Sequence, residues 1–195
     1  MNPLRCSLVV VPIVAMVLVA CSGQAAWACG NALIYSFLFA KYPEAGIAYK
    51  AELAARKDGL YQAAQFPNQP GASYHKWSFS RATAALERVH ERLRRHASAS
   101  GEEVSANLML ADEIYVAELS TSWERPRFVK SSTGLQQSPR VDAYTTVNAL
   151  IALEDGNIEW RSAVERGLVV PASGTTNAQL EDVFGKLYVP RKSSG

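Results

Sequence analysis

The chain has 195 residues, 48% of them hydrophobic and 19% charged, with 20 basic against 18 acidic side chains and a formal charge of +2. This is globular composition, and the length suits one domain or one domain with an extension. The near balance of charge excludes a global field that would gather nucleic acid, and no internal repeat or low-complexity tract is visible.

Residues 1–28 have the three-part order of a cleavable export signal: Arg5, then the 13-residue apolar run Leu8 to Ala20, then small and polar residues to Ala28. As a helix the run would span about 20 Å, short of the roughly 30 Å hydrocarbon core. Two processing sites compete. Ala26-Trp27-Ala28 suits cleavage that leaves Cys29 first, whereas Leu18-Val19-Ala20-Cys21 resembles a lipobox whose Cys21 is acylated and anchors the protein to a membrane. The expected location is therefore the periplasm or the exterior, or the membrane surface as a lipoprotein. Either cleavage removes Cys6 and leaves no pair of thiols for an internal disulfide, so the fold must rest on its core.

The segment 29–100 reads as helical. Ala32 to Ala40 is apolar around its whole circumference, which predicts burial. Pro43 and Glu44 suit the first turn of a helix that runs to about Lys57 and stops at Asp58-Gly59. Turn chemistry makes 66–73 a loop. A third helix is expected over about Trp77 to His96, with Phe79, Leu86, Val89 and Leu93 on one side and Arg81, Arg88, Arg92 and Arg95 on another. Ala97 to Gly101 reads as a linker and a boundary.

Beyond residue 101 the period changes to that of a strand. Val104, Ala106, Leu108 and Leu110 alternate with Ser105, Asn107 and Met109; Ala111-Asp112-Glu113 turns the chain; Ile114 to Leu119 returns it as a hairpin. Weaker strands are expected at Arg127 to Ser131 and Val141 to Thr145. Two short helices follow, one through Val147, Leu150, Ile151 and Leu153 to Asp155-Gly156, the other from about Glu159 to Arg166, closed by Gly167. Leu168-Val169-Val170 reads as an interior strand. Thr176 and Gln179 have capping-box spacing before a helix whose stripe is Leu180, Val183, Phe184 and Leu187. Residues 190–195 read as a loose tail. The fold class is α+β: an N-terminal helical segment, then a small, mostly antiparallel sheet covered by short helices over 101–189.

The order of elements from 104 to 188, with the phrase Leu150-Ile-Ala-Leu-Glu-Asp-Gly156-Asn-Ile-Glu-Trp-Arg-Ser-Ala163-Val-Glu-Arg-Gly167-Leu168, resembles the sterol-carrier-type lipid-binding domains. The resemblance covers under half the chain. It implies a mixed sheet with helices over one face and an apolar cavity between them. Leu150, Ile151, Val164, Leu180, Val183 and Phe184, each on the inward stripe of its helix, are the expected ligand-binding residues.

Chemistry-bearing residues are sparse. A Cys29 freed at the N-terminus would place an amine beside a thiol, as in N-terminal nucleophile hydrolases, but the helical segment that follows does not suit their layered sheets. His75, His90 and His96 lack metal-ligand spacing and read as solvated or capping. Glu102-Glu103 and Asp112-Glu113 read as solvated neighbours with no reason to share a proton. The arginine stripe is either a solvated face paired with Glu87 and Glu91 or a contact for anionic head groups. No catalytic residue, metal or cofactor is expected. The sequence points to an exported envelope protein that binds an apolar small molecule or lipid without catalysis; an interaction or assembly factor is the alternative, and a Cys29 hydrolase a distant third.

Overall fold

The computed structural model describes residues 35–67, 71, 73–113, 115–130 and 140–188. The expected export signal over 1–28, Cys21, Cys29 and the expected tail over 190–195 lie outside these residues. The chain divides into two compact units, 1–41 and 42–195. In the first, residues 35–41 are helical. Leu38 is buried there, but Phe37 is 68% exposed, against the expectation of burial all round. An apolar helix buries its whole circumference only where partners surround it.

The second unit opens with α1 (Pro43–Lys57), which starts on Pro43 and Glu44 and ends at Asp58-Gly59 as expected. Its buried face is made of small residues, Ala45, Gly46, Ala48 and Ala55, plus the charged Glu52. Next comes α2 (Tyr74–Ser100), 27 residues long. It exceeds the expected span at both ends: the anticipated linker at 97–101 is its last turn, closed by Gly101 at φ 75°. Ala and Ser continue a helix at little cost, and the left-handed cap is the residue that stops it. Ala82, Ala85, Leu86, Val89 and Leu93 bury one stripe of α2 in the main core.

The sheet has five strands: β1 (Ser105–Leu110), β2 (Tyr115–Ser120), β3 (Arg127–Lys130), β4 (Ala143–Thr145) and β5 (Val170–Pro171), in the order β3-β2-β1-β4-β5. β1 and β2 form the expected antiparallel hairpin, with Leu108 opposite Ala117 and Leu110 opposite Tyr115. β3 and β5 also pair antiparallel, whereas β4 runs parallel to β1. The fold is α+β with a mixed, mostly antiparallel sheet. Ala106, Leu108 and Leu110 on β1 enter the main core; Met109, one residue out of phase, is buried on the opposite face.

The strand expected at Leu168 to Val170 is instead two residues at the edge of the sheet. Leu168 and Val169 are buried but precede it, and Val170 is half-buried. Their amides close the preceding helix by donating to the Ala163 carbonyl, so they are not free to pair. Pro171 has no N–H with which to extend the ladder.

The remaining elements are α3 (Val147–Glu154), α4 (Trp160–Glu165), α5 (Asn177–Val183) and a 3₁₀ turn, Gly185–Tyr188. Gly167, at φ 73°, carries the left-handed turn after α4. α5 starts in the expected capping box: the Gln179 amide donates to Thr176 Oγ1 at 3.2 Å, and the Thr176 amide donates to Gln179 Oε1 at 2.8 Å. Thr176→Ala should cost about 1 kcal/mol. Urea unfolding monitored by tryptophan fluorescence checks this, and an unchanged midpoint would show that packing alone holds α5.

Candidate functional site

Leu150, Leu180 and Phe184 are buried, and Ile151, Val164 and Val183 are half-buried. Four of them line two different spaces, and Ile151 and Val164 line neither. Leu150 and Phe184, with Leu108, Leu153, Trp160 and Tyr188, enclose a gap of about 10 Å³. That is at the lower limit for a single water molecule and far below what a ligand needs. The filling is aromatic: Trp160 stacks on Phe184 and Tyr188, with ring centres 5.8 and 5.7 Å apart. Short helices pack this sheet closely because three rings fill the space between them.

Leu180, Val183 and Phe184 also line an open cleft of about 270 Å³ at the α5 end of the sheet. Its other walls are Ser105, Ala106 and Asn107 of β1, Arg140 and Asp142 ahead of β4, and Gly174, Thr175, Gln179 and Asp182 around α5. Asp142 is held between the Asn107 amide at 2.9 Å and Arg140 Nε at 3.0 Å. Lys186 donates to Asp182 and holds that carboxyl below its ordinary range. The cleft thus has an apolar floor and a polar rim whose charges are paired.

A second polar constellation lies where α1, α2, the β1–β2 turn and the start of α3 meet. The Val147 amide donates to both oxygens of Asp112, at 3.0 and 3.1 Å. Asn148 Nδ2 donates to Glu52 Oε1 at 2.8 Å, and Arg81 Nη2 donates to Asn148 Oδ1 at 2.9 Å. Ser78 donates to Glu113. Part of Asp112 reaches solvent, yet its carboxyl is surrounded by protein, and burial pushes it up to about 7 against the pull of the Val147 amide. Burial likewise raises Glu113, with Ser78 opposing. The hydroxyl of Tyr61 is buried without a hydrogen-bond partner, and burial followed by the field of Glu52 pushes its ionisation well up.

This corrects the expectation that Asp112-Glu113 is a solvated turn. A tight turn between two strands was legible; that the start of α3 would come to cover it was not. The arginine stripe is corrected in the same way. Arg81 reaches Asn148, and Arg88 and Arg92 reach the buried carboxylate of Glu154 at 3.9 and 3.0 Å; only Arg95 keeps to its own helix, 3.2 Å from Glu91. His90 is neither solvated nor a cap. It is 3% exposed, and its Nε2 lies 2.8 Å from the Ser120 carbonyl. Its place one turn from both Leu86 and Leu93 was the available signal.

Among the described residues no group of three His, Cys, Asp or Glu side chains is placed to hold a metal, and no helix is long and apolar enough to cross a membrane. No family model, curated protein or solved structure matches this chain.

Proposed function

We propose that the protein is an exported, non-catalytic binding protein whose ligand is a small amphipathic molecule held in the cleft beside α5. The carrying observation is the cleft itself, about 270 Å³, with Leu180, Val183 and Phe184 as its floor and Ser105, Asn107 and Thr175 among the polar groups above them. Ligand sites commonly combine an apolar surface with a few fixed polar groups, at volumes from about 300 Å³ upward, so a small ligand suits this one. The sterol-carrier-like order of elements supports a binding role, and the cleft rather than the filled interior offers the room. The ionised groups on the rim are engaged with one another, which supports binding over chemistry. Arg5, the Leu8 to Ala20 run and the small residues before Cys29 support export.

Titration with decanoate, followed by amide NMR shifts, tests this reading. Shifts should cluster at Ser105, Asn107, Thr175, Gln179 and Val183. Val183→Trp, which projects a large ring from a half-buried position into the cleft, should weaken decanoate at least tenfold while the chain stays folded. Absence of shifts at the cleft would overturn the reading.

The alternative is an interaction or assembly factor, favoured by exposed rings along the first turns of α2. Tyr74 is 56% and Phe79 39% exposed. Phe66, Tyr74 and Trp77 form one ring cluster, and Phe79, Tyr115 and Phe128 another. Decanoate shifts confined to these rings would favour it.

A further inference from the structure

The polar groups above the cleft point to the head of its ligand, an inference that rests on the cleft being the binding site. Among the described residues that line it, Arg140 is the sole cation. A series of fixed contacts places it. The Asp142 amide donates to the Asn107 carbonyl and the Ala172 amide donates to the Asp142 carbonyl, both at 2.9 Å, so the backbone of Asp142 is held from the β1 side and from the residue after β5. One oxygen of the Asp142 carboxylate takes the Asn107 amide at 2.9 Å, and the other takes Arg140 Nε at 3.0 Å. The guanidinium is thereby fixed through Nε, and no described residue accepts from its two terminal nitrogens.

On α5 the capping box orients the Gln179 amide. The Thr176 N–H can only donate, so the Gln179 oxygen faces it, at 2.8 Å, and the Nε2 hydrogens are left for another acceptor. The acids of the cleft are already served, Asp142 by the two donors above and Asp182 by Lys186. The rim thus offers hydrogens rather than an unpaired anion. An ammonium head would meet paired carboxylates and the charge of Arg140. A carboxylate head brings two acceptors and no hydrogens, in the spacing that the planar end of a guanidinium matches.

We propose that the cleft selects medium-chain monocarboxylates, with the carboxylate on the terminal nitrogens of Arg140 and the hydrocarbon on Leu180, Val183 and Phe184. Arg140 is 83% exposed, so water screens the pair and its effect on affinity is modest, about fivefold.

Amide NMR titration of the full chain with octanoate, octylammonium and 1-octanol, three heads on one tail, tests the assignment. Octanoate should bind at least tenfold tighter than octylammonium, with shifts at Ser105, Asn107, Thr175 and Gln179. Arg140→Gln changes an exposed side chain and should leave the rest of the spectrum in place. It should weaken octanoate about fivefold and leave 1-octanol, which reports the tail alone, within about twofold. Octylammonium binding as tightly as octanoate overturns the assignment, as does an octanoate Kd unmoved in Arg140→Gln; 1-octanol shifts at the cleft would then show that the cleft reading itself stands. Absence of cleft shifts with all three compounds overturns both.

Discussion

Trp160→Ala should lower the stability of the folded chain by about 4 kcal/mol. Trp160 is 6% exposed and is the central plate of the stack that closes the interior, lying 2° from parallel with Tyr188 and 25° from Phe184. Its indole Nε1 also donates to Glu181 Oε2 at 2.6 Å, tying α4 to α5. Truncation removes the largest apolar side chain between the sheet and three helices and leaves a cavity in its place. A unit of this size loses about 2–4 °C of Tm per kcal/mol, so a fall of about 8–16 °C is expected by differential scanning calorimetry. Trp160→Phe keeps the stacked ring and loses the bond to exposed Glu181, so it should cost only about 1 kcal/mol. The Ala variant should also acquire what the wild type lacks, an apolar cavity large enough for benzene. Stabilisation of Trp160→Ala but not of wild type by benzene would confirm that the interior is filled. A loss below 1 kcal/mol in Trp160→Ala would show that the stack does not hold the helices.

Glu154→Ala should cost about 3 kcal/mol, for an electrostatic reason. The Glu154 side chain is 1% exposed; it accepts two hydrogen bonds, from Arg92 and Tyr188, and pairs electrostatically with Arg88. Arg92 Nε lies at 3.0 Å, Arg88 Nε at 3.9 Å, and the Tyr188 hydroxyl at 2.6 Å. Breaking one side of a buried pair costs about 3–5 kcal/mol, because the other side is left without its partner. Here the arginines are 38% and 48% exposed and regain water, which places the cost at the low end. The hydroxyl of Tyr188 has no such recourse: burial and the adjoining carboxylate already push its ionisation well above 10. Glu154→Gln keeps the volume and an acceptor, so about half the loss should return. Equilibrium urea unfolding of the three proteins measures the series. Equal stability of Glu154→Ala and wild type would mean that the arginines act only as a solvated face.

Much of the fold was legible because it is local. The end of α1 at Asp58-Gly59, the β1–β2 hairpin, the Gly167 turn and the Thr176–Gln179 capping box each depend on residues within a few positions of one another. The periodicity of 104–119 needs only the alternation of a strand. Leu86, Val89 and Leu93 mark the buried stripe of α2 by spacing alone. Part of the candidate site came the same way: the stripe of α5 identified Leu180, Val183 and Phe184, three of the residues that line the cleft.

The rest was set by contacts between residues far apart in the chain. Burial of Glu52 and the raised carboxyl of Asp112 follow from one helix start reaching two elements, 96 and 35 positions away. Arg88 and Arg92 look like surface residues until Glu154, 62 positions from Arg92, comes beneath them. Whether the apolar faces of α3, α4 and α5 enclose a void or close on one another is equally non-local, since it depends on how three rings from separate elements stack. The sequence by itself determined the type of most segments, several of their ends and which faces are apolar, because these are properties of short stretches of backbone and side-chain spacing; the end of α2 and the strand expected at Leu168 to Val170 escaped it. Only the tertiary structure decided which charges are buried together, which apolar face is covered and where open space remains, because desolvation and packing depend on neighbours that chain order does not place.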